Sequence, residues 1–231
     1  MSTRHREWYV PKWGPYKLRS FIGMTFWPYS LMNMSYAVIG SMLAPVIYYD
    51  RVIGIAIIYL LALGISGHAL DAAFSSEIKP WGNFLSKYQL IRIAMIALIP
   101  VVILSNYYIW QTPLLLVFAI LETFFLFAYN MEFFDGKFHT DKLFAFSWAT
   151  LPLMAGYVIQ TNTLSWLVVA SSIAAWLTAY IEINASRPYK SIMRSLNKDK
   201  YGIVYLHYEY ILKSIVLLVI LVAAIMVVTR L

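Results

Sequence analysis

Seven apolar stretches separated by short polar connections dominate the sequence. Each stretch has about the 20 residues that an α-helix needs to cross the hydrocarbon of a bilayer. We therefore predict an all-α fold: a polytopic transmembrane helical bundle of about seven spans in the cell membrane. The predicted spans are 31–49, 52–73, 90–108, 113–134, 143–159, 164–183 and 211–229.

Composition supports a membrane-embedded chain. Of 231 residues, 61% are hydrophobic and 13% are charged, whereas soluble domains have roughly 25% charged residues. A chain of this length cannot hide so much apolar surface from water. There is no cysteine, which excludes disulfides, thiolate metal sites and cysteine nucleophiles.

The basic residues predict the orientation. All eighteen Lys and Arg residues except Arg51 and Arg230 lie in the N-terminal segment or around the connections that follow spans two, four and six. The positive-inside rule then places the N-terminus in the cytoplasm and the C-terminus outside. This placement also explains the net charge of +7 without nucleic acid, which we do not expect as a partner.

Two domains are predicted. Residues 1–20 alternate basic with Trp and Tyr side chains, a composition that suits the headgroup layer of a membrane. We interpret them as an interfacial segment in contact with membrane lipids. Residues 21–231 form a single transmembrane helical domain.

The end of the second span carries the first candidate chemistry. His68 and Asp71 are one helical turn apart, on one face of a helix. Ionisable groups at the edge of a span indicate function. With Glu77 and the later loop residues Glu132, His139 and Asp141, they provide oxygen and nitrogen ligands for Mg²⁺ or another divalent cation. The alternative is that His68 and Asp71 satisfy each other or cap the helix end.

Three further polar residues lie in or beside the later spans. Glu122 falls inside the fourth span, where a carboxylate is costly. It predicts either substrate or proton chemistry or a hydrogen bond between helices. Arg187 and Lys190 follow the sixth span and are suited to an anionic headgroup or a diphosphate. Positive-inside anchoring is their alternative role.

Several motifs resemble those of the UbiA-type intramembrane prenyltransferases, over roughly residues 20–190. Trp27-Pro28-Tyr29-Ser30-Leu31 is similar to that family's R-P-x-S-L stretch, and Tyr129-Asn130 is similar to its Tyr-Ser pair before the mid-chain loop. The end of span two resembles a degraded aspartate-rich motif, with Gly67, His68, Asp71 and Ser75 at the motif positions and Lys79-Pro80 in place of R-P at shorter spacing. The likeness is closer to uncharacterised UbiA-like membrane proteins with an A-H-A-L-D-E-L-x-G-R-P-L stretch.

The resemblance implies a fold and a reaction. In that family, Mg²⁺ on two aspartate-rich motifs grips the diphosphate of a prenyl donor, whose allylic cation alkylates an aromatic or lipid acceptor. Asp71 would be a Mg²⁺ ligand, His68 would replace a second acid, and Glu182 is the acid where the second motif falls. Together these three are the catalytic candidates. Asn130, Arg187, Lys190 and Glu122 are the candidate substrate-binding residues.

Three functions remain open from the sequence. The first is a prenyltransferase-like enzyme acting on an isoprenoid or lipid at a cytoplasmic-face polar site. The second is a non-catalytic UbiA-like protein, either a subunit that binds other membrane subunits or a lipid or quinone binder. The third is a transporter or proton-conducting protein that uses Glu122.

Overall fold

The computed structural model describes residues 3–74, 84–194 and 203–231, and within these ranges the chain is helical with no strand. The predicted all-α class is therefore confirmed for the described chain. Its principal helices are α1 (Tyr16–Met24), α2 (Trp27–Met42), α3 (Tyr49–Phe74), α4 (Lys87–Gln111), α5 (Leu115–Asn130), α6 (Asp141–Thr161), α7 (Trp166–Arg194) and α8 (Val204–Arg230).

Five of these helices, α3, α4, α6, α7 and α8, are long and apolar enough to cross a membrane. Helix α5 is apolar but shorter, and α2 has 16 residues. Helices of such length and composition are those of an integral membrane protein. Two of them contain a π-helical segment, Leu60–Gly67 in α3 and Phe146–Thr150 in α6.

Helix α2 begins and ends earlier than the predicted first span, 31–49. It ends at Met42, although apolar residues continue beyond it. The guanidinium of Arg230 donates to the backbone carbonyls of Met42 at 3.1 Å and Ala44 at 3.0 Å. These bonds satisfy carbonyls that the helix end leaves without partners.

Arg51 has the same role at the end of α6. Its guanidinium donates to the Ile159 carbonyl at 2.9 Å and to the Gln111 side chain at 3.1 Å. Arg51 and Arg230 are the two basic residues that the charge pattern left unexplained. Both bind backbone carbonyls at helix ends, so their positions have a structural cause.

Helices α2 and α6 form the buried centre of the bundle, and α3, α7 and α8 pack around them. Gly40 and Gly156 allow the two helices to approach: a Cβ on Gly156 would overlap the Ala37 carbonyl, and one on Gly40 would overlap the Leu153 carbonyl. The Ser41 hydroxyl donates across this contact to the Gly156 carbonyl at 2.9 Å. Small residues and hydrogen bonds of this kind hold membrane helices together.

Helices α4 and α8 lie at the edge of the bundle and expose apolar side chains. Ile99 and Ile103 on α4 and Leu218 and Ile225 on α8 are each more than half exposed. Rows of exposed aliphatic side chains are unfavourable in water and suited to contact with lipid chains.

The N-terminal segment packs against the bundle. Glu7, Tyr9 and Val10 are almost fully buried. The Trp8 backbone N–H donates to the Tyr189 hydroxyl at 3.0 Å, and the Trp27 indole donates to the Tyr9 carbonyl at 2.9 Å. The segment therefore contacts α2 and α7, the two helices that carry much of the candidate site.

The packing of this segment is expected to weaken at acidic pH. His5 is buried and hydrogen-bonded to Ser20 at 2.9 Å. Burial, together with the nearby charges of Arg19 and Lys12, lowers the pKa of His5 below its usual value of 6.5. A histidine whose pKa is lower in the folded than in the unfolded state stabilises the fold when its ring is neutral. Its contribution is therefore intact above pH 6.5 and is lost as the pH falls towards the lowered pKa.

Limited proteolysis of the N-terminal segment between pH 8 and pH 5, a range of about three units that spans the ordinary histidine pKa, measures this effect. Cleavage should accelerate as the pH falls, and a His5→Gln variant should remove most of that dependence. An unchanged pH profile in the variant would assign the effect to another group.

Candidate functional site

A polar cavity of about 350 Å³ lies at one end of the bundle. Helices α2 and α6 begin there, α3 and α5 end there, and the later turns of α7 pass beside it. Because successive helices alternate in direction, residues far apart in sequence meet at this end. We call this space the polar cavity.

The polar cavity brings together most of the candidate residues named from the sequence. They come from α3, from the end of α5 and the loop after it, and from α7. The candidates that line it are His68, Asp71, Asn130, Glu132, His139, Glu182, Arg187 and Lys190.

Of the described candidates, two do not line it. Asp141, at the start of α6, forms a salt bridge with Arg187. Glu122 lies in a second, apolar cavity and accepts a hydrogen bond from the Tyr59 hydroxyl at 3.0 Å, so it does make a hydrogen bond between helices. Glu77 lies outside the described residues.

The proposed metal ligands do not form a complete set within the described chain. There, no three His, Asp or Glu side chains are grouped closely enough to hold one ion. Asp71 and Glu182 share the cavity with the cations Arg187 and Lys190. Glu132 lines the same cavity, so its described lining combines three carboxylates with two cations, Arg187 and Lys190.

One face of α7 carries the opposing charges. Glu182 is 3% exposed. The ammonium of Lys190, two helical turns later, attracts the Glu182 carboxylate electrostatically. The Lys190 ammonium is 4.8 Å from the centre of the Phe26 ring and 5.7 Å from that of Tyr29. Cation–π contacts of this kind hold an ammonium group over aromatic rings.

Aromatic side chains form the other walls of the cavity. The His68 ring is 4.6 Å from Phe26 and 5.6 Å from Trp148, between ring centres. Trp148 in turn stacks on Phe144 at 5.2 Å. The sequence did not single out these aromatic residues, because 17% of the chain is aromatic and spacing alone does not distinguish them.

Trp148 is fixed by its backbone and has an unused hydrogen-bond donor. It lies in the π-helical segment of α6, where its carbonyl accepts from the Asn33 amide at 2.6 Å. Its indole is 7% exposed, and Nε1 has no hydrogen-bond partner among the described residues. Buried donors are rarely left unsatisfied, so this N–H is available to an acceptor such as a water or a ligand atom.

His139 is held in one orientation. Its ring stacks on Tyr129 with the centres 4.1 Å apart, and Nδ1 is 3.2 Å from the Tyr129 carbonyl. A carbonyl only accepts, so Nδ1–H is the donor in this bond. The neutral ring therefore has Nε2 available as an acceptor or base beside the cavity.

Two residues that line the cavity have left-handed backbone conformations. Phe26 has φ 45° and Glu132 has φ 52°, and neither is glycine. Such conformations cost about 1–3 kcal/mol each and are concentrated at functional sites. The bundle maintains both of them where the chain enters α2 and leaves α5.

The arrangement can hold an anionic group against Arg187 and Lys190, with a Trp148 hydrogen bond and aromatic walls for apolar atoms. Its carboxylates and His139 can accept protons. Comparison of the chain with protein-family models, with curated proteins and with solved structures found no match. The fold and the site therefore define a helical membrane protein with a polar cavity at one end of the bundle.

Proposed function

We propose that this protein holds the anionic head of an isoprenoid or related membrane lipid in the polar cavity. The observation that carries the proposal is the placement of Arg187, Lys190 and the Trp148 indole N–H, which has no hydrogen-bond partner among the described residues, around one cavity. Cations and donors of this type suit phosphate or carboxylate oxygens. The aromatic walls suit the first carbons of an unsaturated chain.

We further propose about seven spans in the cell membrane with the N-terminus in the cytoplasm, so that the polar cavity opens on the cytoplasmic side. The five long apolar helices, together with α2 and α5, supply the seven spans. The charge pattern supports this orientation, since Arg51 and Arg230 bind helix-end carbonyls.

Membership of the UbiA-like group is also part of the proposal. It is supported by the meeting of His68 and Asp71 with Glu182 in one cavity, at the two places where that family has its acidic motifs. In a prenyl transfer the bond to the leaving diphosphate breaks, and the acceptor forms the new bond and loses a proton. Arg187 and Lys190 would neutralise the diphosphate, and Asp71 or Glu182 would take the proton.

A non-catalytic lipid or quinone binder, alone or as a subunit of a membrane complex, is the second candidate. The salt bridge between Asp141 and Arg187 favours it, because this pairing takes one acid away from any metal-assisted chemistry. Both candidates need an anionic or polar head in the cavity. They differ in whether a bond is broken there.

Lipid and metal analysis of the purified protein, followed by prenyl diphosphate binding with and without Mg²⁺, tests the proposal. We expect an acidic or isoprenoid lipid to co-purify, and the diphosphate to bind and displace it. Diphosphate release with an added aromatic acceptor would identify the enzyme, and binding without release the non-catalytic protein. If no lipid co-purifies and the diphosphate does not bind, the proposal is contradicted.

Replacing Trp148 with phenylalanine should weaken binding of the anionic head about ten- to a hundredfold, the effect of losing one hydrogen bond to a charged group. The stacked ring stays, and the lost N–H has no protein partner in the described chain. Thermal stability should therefore change little. Equilibrium binding and thermal unfolding, measured on the same detergent-solubilised samples, separate the two effects.

Trp176→Phe is the matched control. Its indole donates to the Lys142 carbonyl at 3.0 Å and does not line the cavity. This variant should lose stability and keep its affinity. Equal losses of affinity in the two variants would argue against a ligand contact by Trp148.

A further inference from the structure

A second cavity, of about 740 Å³, lies between α3, α4 and α5. It is lined mainly by aliphatic and aromatic side chains, and we call it the apolar cavity. Leu63 and Leu126 line both cavities and so stand between them. The volume falls within the range of about 300–1,000 Å³ that is typical of small-molecule sites.

Glu122 introduces a carboxyl group into this apolar space. Tyr59, which is 4% exposed, donates to its Oε1. The other oxygen, Oε2, is buried and has no hydrogen-bond partner among the described residues. A polar atom left unsatisfied in an apolar medium is costly, so the site is incomplete without a further hydrogen-bonding group.

Ser105, Asn106 and Thr123 also line this cavity, and among the described residues none of them forms a hydrogen bond with Oε2. The Asn106 amide lines the same cavity but donates to the Val102 carbonyl of its own helix at 2.8 Å. Among the described residues, no Lys, Arg or His lines the apolar cavity. An ordered water needs two to four polar partners, and the walls around Oε2 are mostly hydrocarbon.

These observations also define the charge of a ligand. An anionic group would meet the Glu122 carboxyl without a cation to neutralise it. A cationic group would have to leave water for a site walled by hydrocarbon, where the cost of desolvation is high. A neutral molecule with one oxygen function avoids both costs.

We propose that the apolar cavity binds a neutral, membrane-soluble molecule with a hydrocarbon body and one hydroxyl or carbonyl oxygen, which forms a hydrogen bond with Glu122 Oε2. A hydroxyl donates to the carboxylate form of Glu122, and a carbonyl accepts from the carboxylic acid form. This site is separate from the polar cavity, and the inference does not rest on the proposed function.

Competition photolabelling on the full chain in neutral-lipid nanodiscs tests the proposal. A photoreactive long-chain secondary alcohol would label the protein, and labelled peptides would be located by mass spectrometry. The competitors are three unlabelled molecules of equal chain length: a mid-chain alcohol, the matching ketone and the plain alkane. Labelling should fall on α4 and α5, where residues such as Met95, Val102 and Phe127 line the cavity.

We expect the alcohol or the ketone to compete about five- to tenfold better than the alkane, as one buried hydrogen bond predicts. The stronger of the two competitors identifies which oxygen function Glu122 prefers. Equal competition by all three would overturn the proposal, because the cavity would then select only for hydrocarbon. This comparison needs no variant and so does not depend on how a mutant folds.

Two variants locate the hydrogen bond. Glu122→Leu should reduce the advantage of the oxygen-bearing competitors to that of the alkane. Asn106→Leu, in the same cavity, should leave the advantage intact, since its amide already bonds to its own helix. Retention of the full advantage in Glu122→Leu would also overturn the proposal. These outcomes do not depend on anion binding in the polar cavity, so a failure of the proposed function would not change them.

Discussion

Gly156→Ala is expected to destabilise the bundle strongly, although it adds a single methyl group. The new Cβ would overlap the carbonyl of Ala37, a backbone atom of α2 that cannot move aside alone. Inserting an extra methyl group into a packed core usually costs about 1–3 kcal/mol. Because this methyl group would clash with the backbone of α2 at the centre of the bundle, we expect a cost at or above the upper end of that range. Separation of α2 and α6 would also break the hydrogen bond from Ser41 to the Gly156 carbonyl.

Thermal unfolding in detergent and monodispersity on size exclusion measure the effect. Gly67→Ala is the matched control, since its Cβ would meet Leu126 and Asn130 at ordinary contact distances of 3.5 and 3.6 Å. Alanine has the higher helix propensity, so this control should be neutral or slightly stabilising. Similar unfolding temperatures for the two variants would show that α2 and α6 are not packed through Gly156.

Much of the helical architecture follows from the apolar stretches, while the ends of the helices do not. Hydropathy extended the first span to residue 49, but α2 ends at Met42, shortly before Pro45, which has no backbone N–H and disfavours helix in the residue before it. Arg230, far away in sequence, binds the carbonyls left at this end. Conversely, α8 begins at Val204, several residues before the predicted span, and its first turns contain polar as well as apolar residues. Hydropathy alone does not locate these boundaries.

Part of the candidate site could be predicted from the distribution of Lys and Arg among the connections between spans. Alternating connections placed Asp71, Asn130 and Glu182 on one side of the membrane, and the structure brings them to one cavity. Glu122 differs because it is eight residues before Asn130, about 12 Å along the helix axis at 1.5 Å per residue. It therefore reaches the apolar cavity instead. The sequence gives depth along a helix but not which cavity a side chain enters.

Neutralising the two opposed charges of α7 is expected to change anion binding in opposite directions. Lys190→Gln should weaken binding of an anionic head about ten- to a hundredfold, the effect of losing one charge-assisted contact in a partly desolvated site. Glu182→Gln should strengthen it, because a buried carboxylate beside the cavity repels the same anion. Glutamine has nearly the size of either side chain, so packing changes little.

The sign of the Glu182→Gln effect separates two ways of holding the anion. If the cavity binds the anion directly, affinity rises and is independent of Mg²⁺. If Glu182 helps to hold a cation that bridges to a diphosphate, the same substitution lowers affinity and abolishes any Mg²⁺ dependence, since an amide is a poorer ligand for a hard cation than a carboxylate. Titrating both variants with a prenyl diphosphate, once in the presence of Mg²⁺ and once in the presence of a chelator, distinguishes these two outcomes. If Lys190→Gln binds the prenyl diphosphate as tightly as the unsubstituted protein, the anion is not held by Lys190.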